Sequence, residues 1–251
     1  MATELSVNVN AIALLRNRRD LPWPSVVDLS RIALEAGAFG ITVHPRPDER
    51  HIRRHDVFDL ADLLGQPAFQ GREFNIEGYP DERFLALCEE IRPAQVTFVP
   101  DDPAQATSDH GWDIPAHEAL LRSAIQRLKG QGMRLALFID PDERVPAFAL
   151  DVGADRVELF TGPYGSQAVG SAAAAKTVAA LARTALAADA IGLGVNAGHD
   201  LTVDNVPPLV TAAPMIAELS IGHGLTADAL TYGMAASVRR FLKACGKGVQ
   251  T

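Results

Sequence analysis

Ile191-Gly192-Leu193-Gly194-Val195-Asn196-Ala197-Gly198-His199-Asp200-Leu201-Thr202 passes from an apolar run into a glycine, a histidine and an aspartate. The run Ile191–Asn196 reads as a buried strand, and the polar residues fall where that strand opens into a loop. A buried strand followed by glycine and an ionisable side chain is how a (β/α)8 barrel presents chemistry at its rim. The same grammar recurs at Gly40-Ile41-Thr42-Val43-His44, at Phe74-Asn75-Ile76-Glu77 and at Leu219-Ser220-Ile221-Gly222-His223. Four strand ends thus carry His, Glu, His and His. Such a set, spread over one face of a fold, points to acid–base catalysis.

Working outward, short apolar runs alternate with longer helical patterns along the whole chain. Strands are expected at Leu5–Val9, Gly40–His44, Glu73–Glu77, Gln95–Val99, Arg134–Ile139, Arg156–Phe160, Ile191–Asn196 and Glu218–Ile221. Helices are expected at Pro24–Ala36, Val57–Leu64, Asp81–Ile91, Pro115–Gly130, Arg144–Val152, Ser171–Ala188, Val203–Thr211 and Ala227–Lys243. Pro24, Pro80 and Pro115 sit at or just before helix starts, and Gly37 and Gly130 at helix ends, where a left-handed residue is needed. Eight βα units close a barrel, and 251 residues is close to the typical length of one. The near-continuous apolar strands suit a parallel sheet buried on both faces. The expectation is an α/β chain, a single TIM barrel with parallel strands, forming one domain over residues 1–251. An open doubly wound sheet is the rival; the strand count and the evenly distributed polar rim favour closure.

The formal charge of −8 argues against a nucleic-acid surface, which needs a basic stripe, but leaves room for anionic small molecules on a local Arg and His cluster. Cys88 and Cys245 have no metal-ligand spacing and are too few for a disulfide scaffold. The start Met1-Ala2-Thr3-Glu4 lacks the basic segment of a signal peptide, and the Ala-rich stretch Ala172–Ala190 is interrupted by Lys176, Arg183 and Asp189. A soluble cytoplasmic protein, with no membrane partner, is expected.

Several residues carry candidate chemistry. Asn8 and Asn10 share one face if the first strand continues through them; turn and capping roles are the alternative. Arg16, Arg18 and Arg19 follow, a cluster that holds phosphate or is simply a solvated surface. The loop His44-Pro45-Arg46-Pro47-Asp48-Glu49-Arg50-His51 is stiffened by two prolines and offers Arg46 and His51 as anion ligands, since the planar guanidinium makes paired charge-assisted bonds. Glu77 ends a buried strand, where a carboxylate is paired or catalytic, and partial desolvation raises its pKa toward that of a useful base. Glu158, in Val157-Glu158-Leu159-Phe160, fits a structural or substrate-orienting role. Gly198-His199 and Gly222-His223 close the last two strands, where barrel loops commonly form a phosphate site from backbone N–H groups.

Together these motifs resemble the pyridoxine 5′-phosphate synthase family. The resemblance rests on Val7-Asn8-Val9-Asn10 with Leu15-Arg16-Asn17, Gly40-Ile41-Thr42-Val43-His44 with Arg46 and Arg50-His51, and Asn75-Ile76-Glu77. It continues through Leu137-Phe138-Ile139-Asp140, Val195-Asn196-Ala197-Gly198-His199 with Leu201-Thr202, and Ile221-Gly222-His223. It implies a barrel assembled as a homo-octamer that condenses 3-amino-2-oxopropyl phosphate with 1-deoxy-D-xylulose 5-phosphate, giving pyridoxine 5′-phosphate, phosphate and water. No metal or organic cofactor is implied. His44 and Glu77 match the family's proton acceptors and His199 its proton donor. Asn8, Arg19, Asp200, Gly222 and His223 match the positions around the amino-ketone phosphate; Asn10, Ala11, Arg46, His51 and Thr107 match those around the pentulose phosphate. Two phosphorylated small molecules are the implied partners.

The chain departs from that pattern in three places. Asn10 and Ala11 stand where the family usually has aspartate and histidine, Asp200 stands where it has glycine, and the segment Gly65–Gly71 is longer. Two other readings compete. One is a barrel enzyme acting on a different phosphorylated ketone and amine. The other is a non-catalytic paralogue that binds a phosphometabolite, which Ala11 favours and the trio His44, Glu77 and His199 opposes.

Overall fold

The computed structural model describes residues 2–19, 21–101, 105 and 108–248. Eight parallel strands close on themselves in chain order: β1 (Glu4–Asn8), β2 (Gly40–Val43), β3 (Glu73–Gly78), β4 (Gln95–Phe98), β5 (Arg134–Ile139), β6 (Arg156–Phe160), β7 (Gly194–Gly198) and β8 (Ile216–Ile221), with β8 pairing β1. The expected (β/α)8 barrel is therefore the fold. The helices around it are α1 (Asn10–Arg16), α2 (Val26–Glu35), α3 (Arg54–Leu64), α4 (Glu82–Ile91), α5 (Glu118–Lys129), α6 (Val145–Asp151), α7 (Gly162–Gly165), α8 (Ala172–Ala190), α9 (Val206–Ala212), α10 (His223–Tyr232) and α11 (Met234–Ala244). Among the described residues no helix is long and apolar enough to cross a membrane.

Local chemistry sets the helix starts. Ser25, Asp81 and Ser171 each accept a hydrogen bond from the backbone N–H three residues on, satisfying a donor the helix itself cannot. Asp56 reaches back to the N–H of Arg53 at the start of α3.

Four differences from the sequence reading have plain causes. Gly37 is left-handed as expected, but Gly130 is not; Gly132 takes that conformation two residues later (φ 89°). The strand expected from Ile191 begins only at Gly194, because α8 runs on to Ala190 and left-handed Gly192 (φ 83°) makes the turn. The helix expected over Ala227–Lys243 is two helices broken at Gly233, and the first begins at His223, so the last strand feeds directly into a helix N-terminus. A short helix, α1, follows β1 where none was foreseen.

The fifth difference is architectural. The strands are not continuously apolar. Leu5, Val7, Ile41, Val43, Ile76, Val96, Leu135, Leu137, Val157 and Leu159 join the helices in one buried cluster. Most of their alternates are polar and fill the barrel interior, with Ala136, Phe138 and Phe160 the apolar exceptions on β5 and β6. Ser6 shares a hydrogen bond with Thr42 (2.7 Å), Asn75 donates to Thr42 (3.4 Å) and Thr97 donates to Asn75 (3.1 Å). Toward the N-terminal end, Arg134 donates to Gln95 (2.8 Å) and pairs with Glu73, while Arg156 donates to Asn196 (2.8 Å), which donates to Glu218 (3.4 Å). A barrel of this class more commonly packs branched aliphatic side chains there.

Glu73 is 5% exposed and Arg134 is its ion-pair partner. Arg134→Met should therefore cost about 3–5 kcal/mol by leaving a buried carboxylate unpaired, whereas Arg134→Met with Glu73→Leu should recover most of that loss. Urea denaturation of both variants checks this; equal losses would mean that the pair does not act as a unit.

Candidate active site

At the C-terminal ends of the strands the polar interior opens into a cavity of about 310 Å³. It is lined by Asn8 and the start of α1, by His44, Arg46 and His51, by Glu77, Glu158 and Ser220 from the strands, and by His199, Asp200, Gly222 and His223 after the last two strands, Gly222 lying beside Asn8 because β8 pairs β1. The expected trio His44, Glu77 and His199 thus lines one space, together with Asn10 and Ala11.

Each wall is braced from behind. The Asn8 side chain accepts from the Asn10 N–H (3.0 Å) and donates to Glu77 Oε2 (3.4 Å). Asn10 is the first residue of α1, not a strand residue, so it reaches the cavity from a helix start rather than by strand alternation. Its side-chain oxygen accepts from the His44 N–H (2.9 Å) and so fixes the end of β2. His51 Nδ1 accepts from the Ile52 N–H (2.9 Å), which leaves the ring proton of the neutral form on Nε2. His199 packs against Phe138 and Phe160, with ring centroids 5.0 and 5.4 Å away.

Arg46 is 2% exposed and donates to Asp101 (2.6 Å) and to the carbonyl of Gln105 (3.0 Å). Asp101 Oδ2 also lies 3.7 Å from His44 Nε2. Asp101 escaped the sequence reading, although Val99-Pro100-Asp101 repeats the pattern of an apolar strand followed by an ionisable residue. Ser108 and Ser220 were missed for a different reason, since a lone serine carries no pattern.

The other expected ligands divide. Arg46, His51, Asp200, Gly222 and His223 all line the cavity. Arg19 does not; it is exposed, and the structure does not bring it to this cavity. Thr107 lies outside the described residues. Arg16 is a brace: it is buried, pairs with Asp56, and with Asn17 holds the carbonyl of His51 (3.3 and 2.7 Å). Its neighbour Arg18 is exposed.

Burial governs the electrostatics. Desolvation lowers the pKa of His199 and of His51 to about 4, Arg46 adding to the effect on His51. His44 is pushed well below the usual histidine range, first by burial and then by His51 and Arg46. Burial raises Glu158 to about 7 and holds Glu77 well above the usual carboxylate range, with Glu158 and Asp101 adding repulsion. Burial therefore favours the neutral ring at His44, His51 and His199 and the protonated form of Glu77 in the same cavity. Groups with such opposed shifts can exchange protons with a substrate in both directions.

Anion-binding capacity lines the same cavity. α10 begins at His223 with Gly222 as its N-cap and no side chain capping it, so first-turn N–H donors are left at the cavity wall. A Cβ at Gly222 would stand 3.2 Å from the Asn8 side chain and backbone, so glycine keeps this wall thin.

Residues 5–247 match the family model described as pyridoxal phosphate biosynthesis protein PdxJ. Curated relatives named pyridoxine 5′-phosphate synthase include those of Chelativorans sp. (61% identical, over 98% of this chain and 99% of the relative) and Mesorhizobium japonicum (61%, 98% and 100%). Agrobacterium fabrum has another at 59%, over 98% and 99%. Among solved structures, a BexX/CysO complex from Amycolatopsis orientalis superimposes with a TM-score of 0.60 at 18% identity, over 97% of this chain and 88% of that one. A mutant tryptophan synthase alpha-subunit from Pyrococcus furiosus gives 0.61 at 13%, over 98% and 96%. At these identities the structural likeness concerns the barrel alone.

The depressed histidines fix a stability trend. Below about pH 6.5 the unfolded chain takes up protons that folded His51 and His199 refuse until about pH 4. This contribution is fully present above pH 6.5 and is lost as the pH falls toward 4. Replacing both rings with asparagine should flatten that loss by on the order of 3 kcal/mol per ring. Thermal melts across the interval check it; parallel curves for variant and parent would place both rings in a hydrated setting.

Proposed function

The chain belongs to the PdxJ family of pyridoxal phosphate biosynthesis proteins, and from that premise we propose that it is a pyridoxine 5′-phosphate synthase. In this reading it joins 3-amino-2-oxopropyl phosphate to 1-deoxy-D-xylulose 5-phosphate, releasing phosphate and water. The observation that carries the reading is the convergence of His44, Glu77 and His199 on one cavity that a helix N-terminus also lines.

Amine addition to a ketone, phosphate loss, ring closure and dehydration all move protons, so several groups able to change protonation suit them better than a single nucleophile. Neutral His44 accepts a proton from the incoming amine. Glu77 enters as an acid and, once ionised, serves as a base. Two phosphates bring negative charge that raises the histidine pKa values, so His199 carries a proton to a leaving oxygen only when substrate is present. The first-turn N–H groups of α10, with Gly222 and His223, hold the amino-ketone phosphate. Arg46 and His51 hold the pentulose phosphate, Arg46 exchanging part of its bonding to Asp101 for the ligand. Arg19, exposed outside the cavity, is left out of this reading. Exposed Leu14 and Leu15 on α1, Leu21 and Trp23 after it, and Leu230 and Tyr232 on α10 support self-association, with an octamer as the state the resemblance implies.

Incubating the purified protein with both substrates should yield pyridoxine 5′-phosphate and phosphate; a folded protein that yields neither sinks the proposal. Glu77→Gln should abolish most turnover while leaving phosphate-substrate affinity within about tenfold, because it removes a proton carrier and no phosphate ligand. Near-normal turnover would assign that proton elsewhere. Arg46→Ala should raise KM for 1-deoxy-D-xylulose 5-phosphate by about tenfold to a hundredfold, and far more than KM for the amino ketone. Equal effects on both would contradict the division into two phosphate sites.

A further inference from the structure

His199 and Asp200 are successive non-glycine residues in the left-handed region, with φ of 87° and 55°. Side chains disfavour that conformation by about 1–3 kcal/mol per residue, and it persists only where surrounding structure enforces it. The enforcement is visible. The Thr161 hydroxyl, fully buried at the end of β6, donates its one proton between the carbonyls of Gly198 and His199. The Thr161 N–H donates to Gly198 as well (2.9 Å). The next carbonyl, of Asp200, accepts from the side chain of buried Asn205 (3.2 Å), whose oxygen accepts from the Thr202 N–H (2.7 Å). Tyr164 in α7 anchors Asn205 in turn, its hydroxyl donating to the Asn205 carbonyl (2.7 Å). Three consecutive carbonyls, of Gly198, His199 and Asp200, are thus tied down. Phe138 and Phe160 then fix only the ring.

We propose that Thr161 is the positioning residue of His199: its hydroxyl holds the left-handed turn that aims the imidazole into the cavity. The inference rests on the reading above, in which His199 moves a proton. Thr161 is not itself among the residues that line the cavity, and it acts through the backbone of His199, which is. Without the hydroxyl, the Gly198 and His199 carbonyls lose a shared donor, and the turn relaxes toward the right-handed region that both side chains prefer. The imidazole then leaves its place against the two phenylalanines.

Thr161→Val keeps the volume and removes the hydroxyl; Thr161→Ser keeps the hydroxyl. The valine variant should lose about a hundredfold in kcat with little change in either KM, as expected of a misplaced catalytic group, and the serine variant should regain most of it. By NMR, the His199 imidazole should titrate closer to the ordinary histidine range in the valine variant and near its parent value in the serine variant. A valine variant with parental kcat and parental His199 titration would overturn the proposal, as would a serine variant as impaired as the valine one. Should the valine variant not fold, Thr161→Ala against Thr161→Ser isolates the same hydroxyl. His199→Asn measured alongside separates the two ideas. If it retains turnover, the catalytic reading fails, and the bracket is still judged by the imidazole titration.

Discussion

Hydrogen bonds between Ser6 and Thr42, from Asn75 to Thr42 and from Thr97 to Asn75 cross four strands at the waist of the barrel. Below them Arg134, Glu73, Arg156 and Glu218 close the N-terminal end. Aliphatic packing tolerates small volume-conserving changes, but a buried polar network is favourable only when its members find partners. The pairing of strands and the direction of each inward side chain are therefore tied together. A slip of one residue in any strand would place an apolar side chain in the network and a polar one against the helices.

The cavity inherits its character from that interior. Glu77 and Glu158 stand at the top of a column in which Glu218 and Glu73 stand below, and each carboxylate feels others through a medium poor in water. Burial first, and at Glu77 the repulsion from Glu158 and Glu218 as well, raises both upper members above the usual carboxylate range. The histidines respond oppositely to the same burial and stay neutral. An aliphatic barrel floor would give desolvation without the mutual repulsion. The polar interior adds both, and supplies Asn8 as a donor that holds Glu77 in place.

Strand ends were readable because glycine and an ionisable residue after an apolar run is a local pattern, and His44, Glu77, His199 and His223 all carry it. The barrel interior was not read, although the alternation Glu73, Asn75, Glu77 and Gln95, Thr97 is plain once the inward face is known. Strands of four to six residues, buried on both faces, gave too short a window to separate alternation from a continuous apolar run. Arg16 and Arg19 look alike in sequence and differ in the fold, one buried against Asp56 and the other exposed, because only tertiary contacts decide which arginine of a cluster finds a carboxylate. Asp101 followed the readable pattern and was overlooked for its proline. Thr161 has no local signal at all, since its partners lie on the next strand.

The substitution of Asn10 for the family's aspartate is less disruptive than its loss of charge suggests. What the position does here is accept the His44 N–H through one side-chain oxygen, a task an amide performs as well as a carboxylate. Its effect on electrostatics runs in a consistent direction. A carboxylate at Asn10 would add negative charge beside His44, favouring the imidazolium, and beside Glu77, favouring its protonated form. With an amide there, neutral His44 is easier to keep, and a dianionic ligand meets less repulsion at that wall. Asp200 adds a negative charge to the lining of the same cavity. Its charge opposes the effect of burial on His199, raising the pKa that desolvation lowers. Against the pattern the resemblance implies, then, negative charge is absent beside the proposed proton acceptor His44 and present beside the proposed proton donor His199. Each change moves its histidine toward the protonation state that its proposed role requires.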